Sequence, residues 1–340
     1  MKQLLFNRNE VIQGPSPKVL RALKSFRPEH ATFYLGDYCH SILIPKISET
    51  FGILEERVLI SYGEEDLLRT IFDGLETKKD SVLTQQFHYA YYKKYLDFKR
   101  IPLHIFGMKE GGGGFVFDIE DCIQQYQKLS PKVLLLTSPN NPTGNSLTAG
   151  GLEAILKRIA AQTLVIVDEA YWGFDPEYDQ QAFLSLSLLG RYQNLVLLRS
   201  FSKRYALAGL RIGFALCGAN VKNLLRYQSR YLGLSRILEE VAVAALESED
   251  YYSKLSQEII EDREDFITES RNLRNFQPFN SRSNFVLMRI AHSTLAERLR
   301  VALTKEGVVI SKFVSEDLVR VSIGKRGHTK KFLRLLRALA

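Results

Sequence analysis

Between about residues 57 and 218 short apolar runs and amphipathic stretches take turns, and few folds accept such a rhythm. The apolar runs are Val58–Tyr62, Ser81–Gln85, Val133–Ser138, Leu164–Val167, Asn194–Arg199 and Arg211–Cys217. Each has the length of a strand. Helical patterns lie between several of them, at Glu65–Leu75, Ala90–Phe98, Asp118–Leu129 and Thr148–Ala161. Strands apolar on both faces must be covered on both faces, so the pattern predicts an α/β fold with a largely parallel sheet between helices. The glycine run Gly111 to Gly114 lies between the apolar segment Ile101 to Met108 and the stretch FVFDIEDC. It reads as a flexible connection rather than a phosphate cradle, because no Lys-Ser or Lys-Thr follows it.

Beyond Cys217 the rhythm changes. A long helical stretch from Val221 to about Ser248 leads into a region that mixes helices with two short strands, Ser283–Arg289 and Leu318–Ser322. This predicts a smaller α+β part. The expected division is an N-terminal arm over 1–29, joined to the small part, a large domain over 30–240 and a small C-terminal domain over 241–340. Lys325 to Arg337 holds the densest group of basic residues, yet Phe332, Leu333, Leu335, Leu336 and Leu339 recur there at near-helical spacing. A terminal helix with one packed and one solvated face accounts for both.

With 340 residues the chain can bury one large core and a smaller second one. Its net charge of +8 favours anionic ligands, phosphorylated metabolites as much as nucleic acid. The basic residues are spread along the chain, with no helix-turn-helix pattern and no appended basic arm, so nucleic acid is not an expected partner. Cys39, Cys122 and Cys217 are widely spaced and form neither a metal-ligand pattern nor a disulfide framework; they read as small apolar fillers, and no metal is expected. The start, MKQLLFNRNE, is too short and polar for a signal peptide, and no apolar run approaches membrane-spanning length. A reducing cytoplasm, with no membrane partner, is the expected setting.

Three segments fall at the carboxyl ends of predicted strands, the edge where open α/β sheets bind ligands. SPNNPTGN, Ser138 to Asn145, taken alone is a turn. VIVDEAYWGF, Val165 to Phe174, ends a strand on an Asp-Glu pair that suits a metal ligand, a general base or a solvated strand end. RSFSKRYALAGLRIGFAL, Arg199 to Leu216, places a Ser-x-Ser-Lys cluster before an arginine and another buried strand; a lysine just beyond a strand is usually a surface residue.

Together, in this order and at the intervals from Asn141 to Asp168 and from Lys203 to Arg211, the segments resemble the fold-type I pyridoxal-phosphate (PLP) aminotransferases. More narrowly they resemble the histidinol-phosphate aminotransferase branch, of which Ala-Leu-Ala-Gly-Leu-Arg after Lys203 is typical. FNRNEVIQGPSPKVL near the start looks like the family's N-terminal arm, and SRSNFVLMRI and GVVIS also fit. The resemblance implies that PLP is the cofactor and that Lys203 holds it as a Schiff base and moves the proton at Cα. It implies that Asp168 pairs with the pyridine nitrogen, and that Asn141 and Tyr171 donate to the ring oxygen. Ser200, Ser202 and Arg211 match the phosphate ligands, the arginine gripping two oxygens at once. Gly63, Glu64 and Glu65 add backbone N–H groups where a strand turns into a helix. Tyr34, in FYLGDY, is similar to the tyrosine that reaches the neighbouring subunit's phosphate, which implies a homodimer. The residue stacked on the pyridine ring is His88 in this alignment, with Tyr89 one position away as its competitor. Arg320, in LVRVSIG, matches the arginine that binds the substrate α-carboxylate, with Asn141 beside it.

Departures from the family pattern fall mainly on the substrate side. Val11, Ile12 and Gln13 stand where the arm has Asn, Pro and an aromatic residue. Ser311 stands where the branch carries an arginine for the substrate phosphate, and Lys312 is one residue out of phase, on the opposite face of a strand. Glu64 replaces a smaller neutral residue, and both acids are expected to point away from the phosphate. The implied activity is transfer of an amino group between an amino acid or amino-alcohol phosphate, histidinol phosphate first, and 2-oxoglutarate. An aromatic or other amino-acid aminotransferase and a PLP-dependent decarboxylase of the same fold are the alternatives.

Overall fold

The computed structural model describes residues 3–32, 40–175, 186–221, 233–311 and 314–340. Its strands in chain order are β1 (Leu4–Phe6), β2 (Val58–Ser61), β3 (Val82–Gln85), β4 (Leu103–Phe106), β5 (Met108–Gly111), β6 (Gly114–Phe117) and β7 (Val133–Thr137). There follow β8 (Leu164–Asp168), β9 (Leu195–Ser200), β10 (Gly213–Cys217), β11 (Phe276–Pro278), β12 (Phe285–Ile290), β13 (Val308–Ile310) and β14 (Leu318–Ser322). Seven of them form the central sheet, in the order β2-β10-β9-β8-β7-β3-β4. Neighbours from β4 to β9 pair in parallel, while β10 runs antiparallel to both β9 and β2. The expected α/β fold with a mostly parallel sheet is therefore present.

Alternate residues of each central strand feed two separate cores. Leu134, Leu136, Val165, Val167, Leu195, Leu197, Phe214 and Leu216 pack on one face, against the helices Leu43–Phe51, Ile119–Leu129, Ala149–Leu156 and Arg236–Leu246. Val133, Leu135, Leu164, Ile166, Val196, Leu198 and Ala215 pack on the other, against Glu64–Asp73 and Ala90–Lys99. The period of two in a strand thus explains why the sequence shows unbroken apolar runs. Caps set several helix starts: Asp118 accepts from Asp121 N–H at 3.2 Å and Thr148 from Gly151 N–H at 3.0 Å.

The C-terminal part holds the antiparallel sheet β11-β12-β14 with the helices Glu249–Arg271, Ser293–Lys305 and Arg326–Leu339. The last buries Phe332, Leu333 and Leu336, as its spacing predicts. β1 pairs in parallel with β13, which ties the first residues to this part.

Two expectations need correction. The stretch from Val221 to Ser248 is not one helix: Gly233 has φ +65°, the helix begins only after Ser235, and Ser248 separates it from Glu249–Arg271. The glycine run is not a loose connection either, because Gly112 and Gly113, at φ +61° and +80°, turn the hairpin β5–β6. Among the described residues no helix is long and apolar enough to cross a membrane.

Candidate active site

The carboxyl ends of β2, β7, β8 and β9 open on a cavity of about 680 Å³. Because β10 runs the other way, its first residue, Gly213, lies at the same edge, in register with Ser200 and Ser61. Of the residues singled out from the sequence, Glu64, Glu65, Asn141, Asp168, Tyr171, Ser200, Ser202, Lys203, Arg211 and Arg320 all line this one space.

Asp168, the last residue of β8, faces the cavity. One carboxyl oxygen accepts from Ala170 N–H at 3.0 Å, and the other accepts the Tyr92 hydroxyl. Burial, and then the neighbouring Asp168, raise the Tyr92 pKa well above its usual value, so that phenol stays a donor. The adjacent acid has a different fate. Glu169 is fully buried and takes Arg199 Nε at 2.7 Å, and the guanidinium lies over Trp172 at 4.4 Å and Phe51 at 4.9 Å. Of the Asp-Glu pair, one carboxyl serves the cavity and the other joins β8 to β9.

Lys203 follows β9, half-buried, with Nζ donating to Arg8 C=O at 2.7 Å and lying 5.7 Å from the Tyr171 ring centre. Burial first, and then the charges of Arg320 and Arg211, bring its pKa down to about 8 against the opposing pull of Glu10 and Glu64. The Tyr171 hydroxyl accepts from Asn141 Nδ2 at 3.2 Å and from Asn9 Nδ2 at 3.1 Å. Burial pushes its pKa up to about 12. Asn141 Oδ1 in turn accepts from Arg320 Nη1 at 2.6 Å, while Arg320 Nη2 donates to Asn7 C=O at 2.5 Å. Arg320 Nε is buried without a partner, an N–H held ready for an anion.

Another part of the cavity wall is assembled from two segments, the one between β9 and β10 and the one between β2 and the helix Glu64–Asp73. Ser200 Oγ accepts from Ser202 N–H at 3.0 Å, and Arg211 reaches Ser202 Oγ at 3.5 Å. Gly63 precedes the helix Glu64–Asp73 with φ +84°, and a Cβ there would stand 2.8 Å from Arg211 Nη2. Only glycine lets the guanidinium lie against the helix start, where free N–H groups point outward.

Glu64 departs from expectation. Its side chain does not point away: it is 7% exposed, its carboxyl is in hydrogen-bonding reach of Asp168, and Oε1 has no partner. Glu65 lies exposed at the rim. His88 is absent from the cavity lining; its ring stacks on Tyr92 at 6.1 Å and Nδ1 meets Tyr89 C=O. Tyr89 does line the cavity. Ser311 lines a separate cavity and donates to Arg320 C=O at 3.0 Å. Tyr34, Cys39 and Lys312 lie outside the described residues. Tyr92, Asn7, Arg8, Asn9 and Glu10 also belong to this site or its support, without a role foreseen from the sequence. The arm's resemblance was the available signal for four of them, whereas Tyr92 sits in an aromatic run that reads as helix packing.

An amine of lowered pKa, a buried carboxyl, a phenol with its amide donor, and a serine–arginine–helix cradle converge on one space. This donor set fits a phosphorylated aromatic aldehyde. The chain belongs to the class I and II aminotransferase family, whose model, "Aminotransferase class I and II", matches residues 1–339. A histidinol-phosphate aminotransferase of Syntrophus aciditrophicus is 30% identical over 350 residues, covering 99% of this chain and 92% of that one. Among solved structures, histidinol-phosphate aminotransferase from Sinorhizobium meliloti, in complex with pyridoxal-5'-phosphate, superposes with a TM-score of 0.85 at 22% identity, covering 99% of this chain and 92% of that one. L-threonine-O-3-phosphate decarboxylase from Porphyromonas gingivalis gives 0.79 at 18% identity, with 98% of each chain covered. At these identities the two structures establish the likeness of fold.

Proposed function

We propose that the protein transfers an amino group from an amino-alcohol phosphate, histidinol phosphate first, to 2-oxoglutarate, with PLP held through Lys203. The observation that carries this reading is the placing of Lys203, Asp168 and Arg320 around one cavity, with Asn141 joining Arg320 to Tyr171. When bound, PLP supplies an aldehyde that condenses with amines and a ring that takes up the electron pair left at Cα.

The protein's own groups do the rest. Ser200, Ser202, Arg211 and the N–H groups after Gly63 would hold the phosphate. Asp168, kept in place by Tyr92 and Ala170 N–H, would keep a proton on the ring nitrogen. Tyr171 and Asn141 would donate to the ring oxygen. Lys203 Nζ, able to lose its proton near neutral pH, would attach the cofactor and afterwards carry the proton taken from the donor Cα. Arg320, steadied by Asn141 and Asn7, would orient an anionic group of either substrate: the α-carboxylate of glutamate, or the phosphate monoester of the donor.

The test combines product and label. Protein given PLP, histidinol phosphate and 2-oxoglutarate should form glutamate, and borohydride reduction followed by peptide mapping should find the cofactor on residue 203. Lys203→Ala should lose at least about 10³-fold in turnover, as removal of a proton-transferring nucleophile does. Release of CO2 from an amino-acid phosphate without glutamate formation would replace this reading by decarboxylation, and label on another residue would refute the role of Lys203.

A further inference from the structure

Glu64 touches both ends of the place that the cofactor would take. Its backbone opens the helix Glu64–Asp73, so its N–H belongs to the anion cradle beside Gly63 and Arg211. Its side chain leaves that cradle and reaches the carboxyl of Asp168, the group that would receive the ring nitrogen. An acid in the first turn of a helix ordinarily stays in water, close to the free N–H groups, as the exposed Glu65 does. Glu64 is instead buried, and one of its oxygens has no partner. Such a contact is expensive unless the two carboxyls share a proton.

The surroundings reinforce this. Asp168 and Glu169 face Glu64 from the end of β8, and Tyr92 and Tyr89 from the start of the helix Ala90–Lys99. Lys203 acts on it from the segment between β9 and β10, where Arg211 lies against the neighbouring Gly63. Burial, then Asp168 and Glu169, hold the Glu64 pKa well above the usual carboxyl range, and Lys203 opposes them. Gly213 locks the arrangement from below: a Cβ there would stand 2.4 Å from Glu64 N, so the helix start is pressed onto β10.

We propose that Glu64 competes with the cofactor for Asp168, its side chain bridging the phosphate cradle and that carboxyl until PLP displaces it. The inference rests on the PLP reading of the cavity. Loading then costs the Glu64–Asp168 contact, and affinity for the cofactor falls below what the remaining donors would give.

Removing the side chain tests this without any turnover measurement. Cofactor-free wild type, Glu64→Ala and Glu64→Ser are titrated with PLP and, separately, with pyridoxal, which lacks the phosphate; binding is read by absorbance and tryptophan fluorescence. Both variants should bind both compounds at least about tenfold more tightly than wild type, equivalent to about 1.4 kcal/mol. A gain for PLP without one for pyridoxal would mean that Glu64 acts only by repelling the phosphate, and the competition would be refuted. Equal affinities in wild type and variants would refute it too, while leaving the functional reading intact. Absence of binding in every protein would overturn both.

Discussion

Lys203 illustrates how a single residue records its surroundings. In an unfolded chain its amine has the ordinary value of 10.5, and in the folded protein burial, with Arg320 and Arg211 nearby, lowers it to about 8. Between those values the unfolded chain binds the extra proton, so stability rises with pH from about 8 to 10.5. Below about 8 the folded protein bears the full penalty, on the order of 3 kcal/mol. Lys203→Met removes this contribution. Without cofactor, the variant should exceed wild type in urea resistance by that amount at pH 7, and the gap should close by pH 10.5. A gap independent of pH would show that Nζ is not held at a lowered value. Asp168 and Glu169 show the same dependence on place. Adjacent in sequence, they reach opposite faces of β8, and the sequence alone left the pair open among a ligand, a base and a strand end. The Glu169–Arg199 contact, wrapped by Trp172 and Phe51, answers for one of them.

At the scale of elements, the central strands were legible because both of their faces are apolar, and the ligand edge was legible because motif residues cluster at their ends. Asn141, Asp168, Tyr171 and Lys203 could thus be expected at one site through the family resemblance that the order and spacing of their segments carry. What stayed hidden depends on contacts between elements distant in sequence. Nothing local in SYGEED says that Glu64 turns inward, and the helix start packs on β10, far along the chain, at Gly213. His88 and Tyr89 were not separable either, because the exit from β3 decides which ring meets the cavity. The late start of the helix at Arg236, after Gly233 at φ +65°, was hidden because apolar residues recur in the sequence on both sides of that glycine. The role of Gly213 can be measured. A Cβ would meet Glu64 N at 2.4 Å and Gly63 C at 2.6 Å, both backbone atoms that no rotamer change can clear. Gly213→Ala should cost about 1–3 kcal/mol in urea unfolding by overpacking. It should also weaken PLP, because the helix start and Arg211 move apart. Gly190→Ala, in a helix and with nothing within 4 Å, serves as the control and should cost no stability and leave PLP binding unchanged.

Across the whole molecule the N-terminal arm closes the structure by joining parts that the chain order keeps apart. β1 extends β13, Ser16 N–H donates to Tyr252 at 3.1 Å, and Asn9 lies fully buried between them. Asn9 N–H donates to Ser322 Oγ at 3.0 Å, and Ser322 Oγ donates back to Asn9 Oδ1 at 2.7 Å. Asn284 Nδ2 donates to Asn9 C=O at 2.9 Å, and Asn9 Nδ2 donates to the Tyr171 hydroxyl in the cavity. One residue thus links the arm, the C-terminal sheet and the candidate active site. Its φ of +55° also suits asparagine better than any branched residue. Asn9→Ala would remove two side-chain hydrogen bonds from a buried position and place alanine in the left-handed region. The expected loss is about 2–4 kcal/mol, read from urea midpoints. The decisive measurement is the double-mutant cycle with Ser322→Ala. If residues near the two chain ends act as one clasp, the coupling should be at least about 0.5 kcal/mol. Strictly additive losses would mean that the Asn9–Ser322 contact does not hold the arm, which would then rest on β1, the Ser16–Tyr252 bond and the Asn284 bond to the Asn9 backbone.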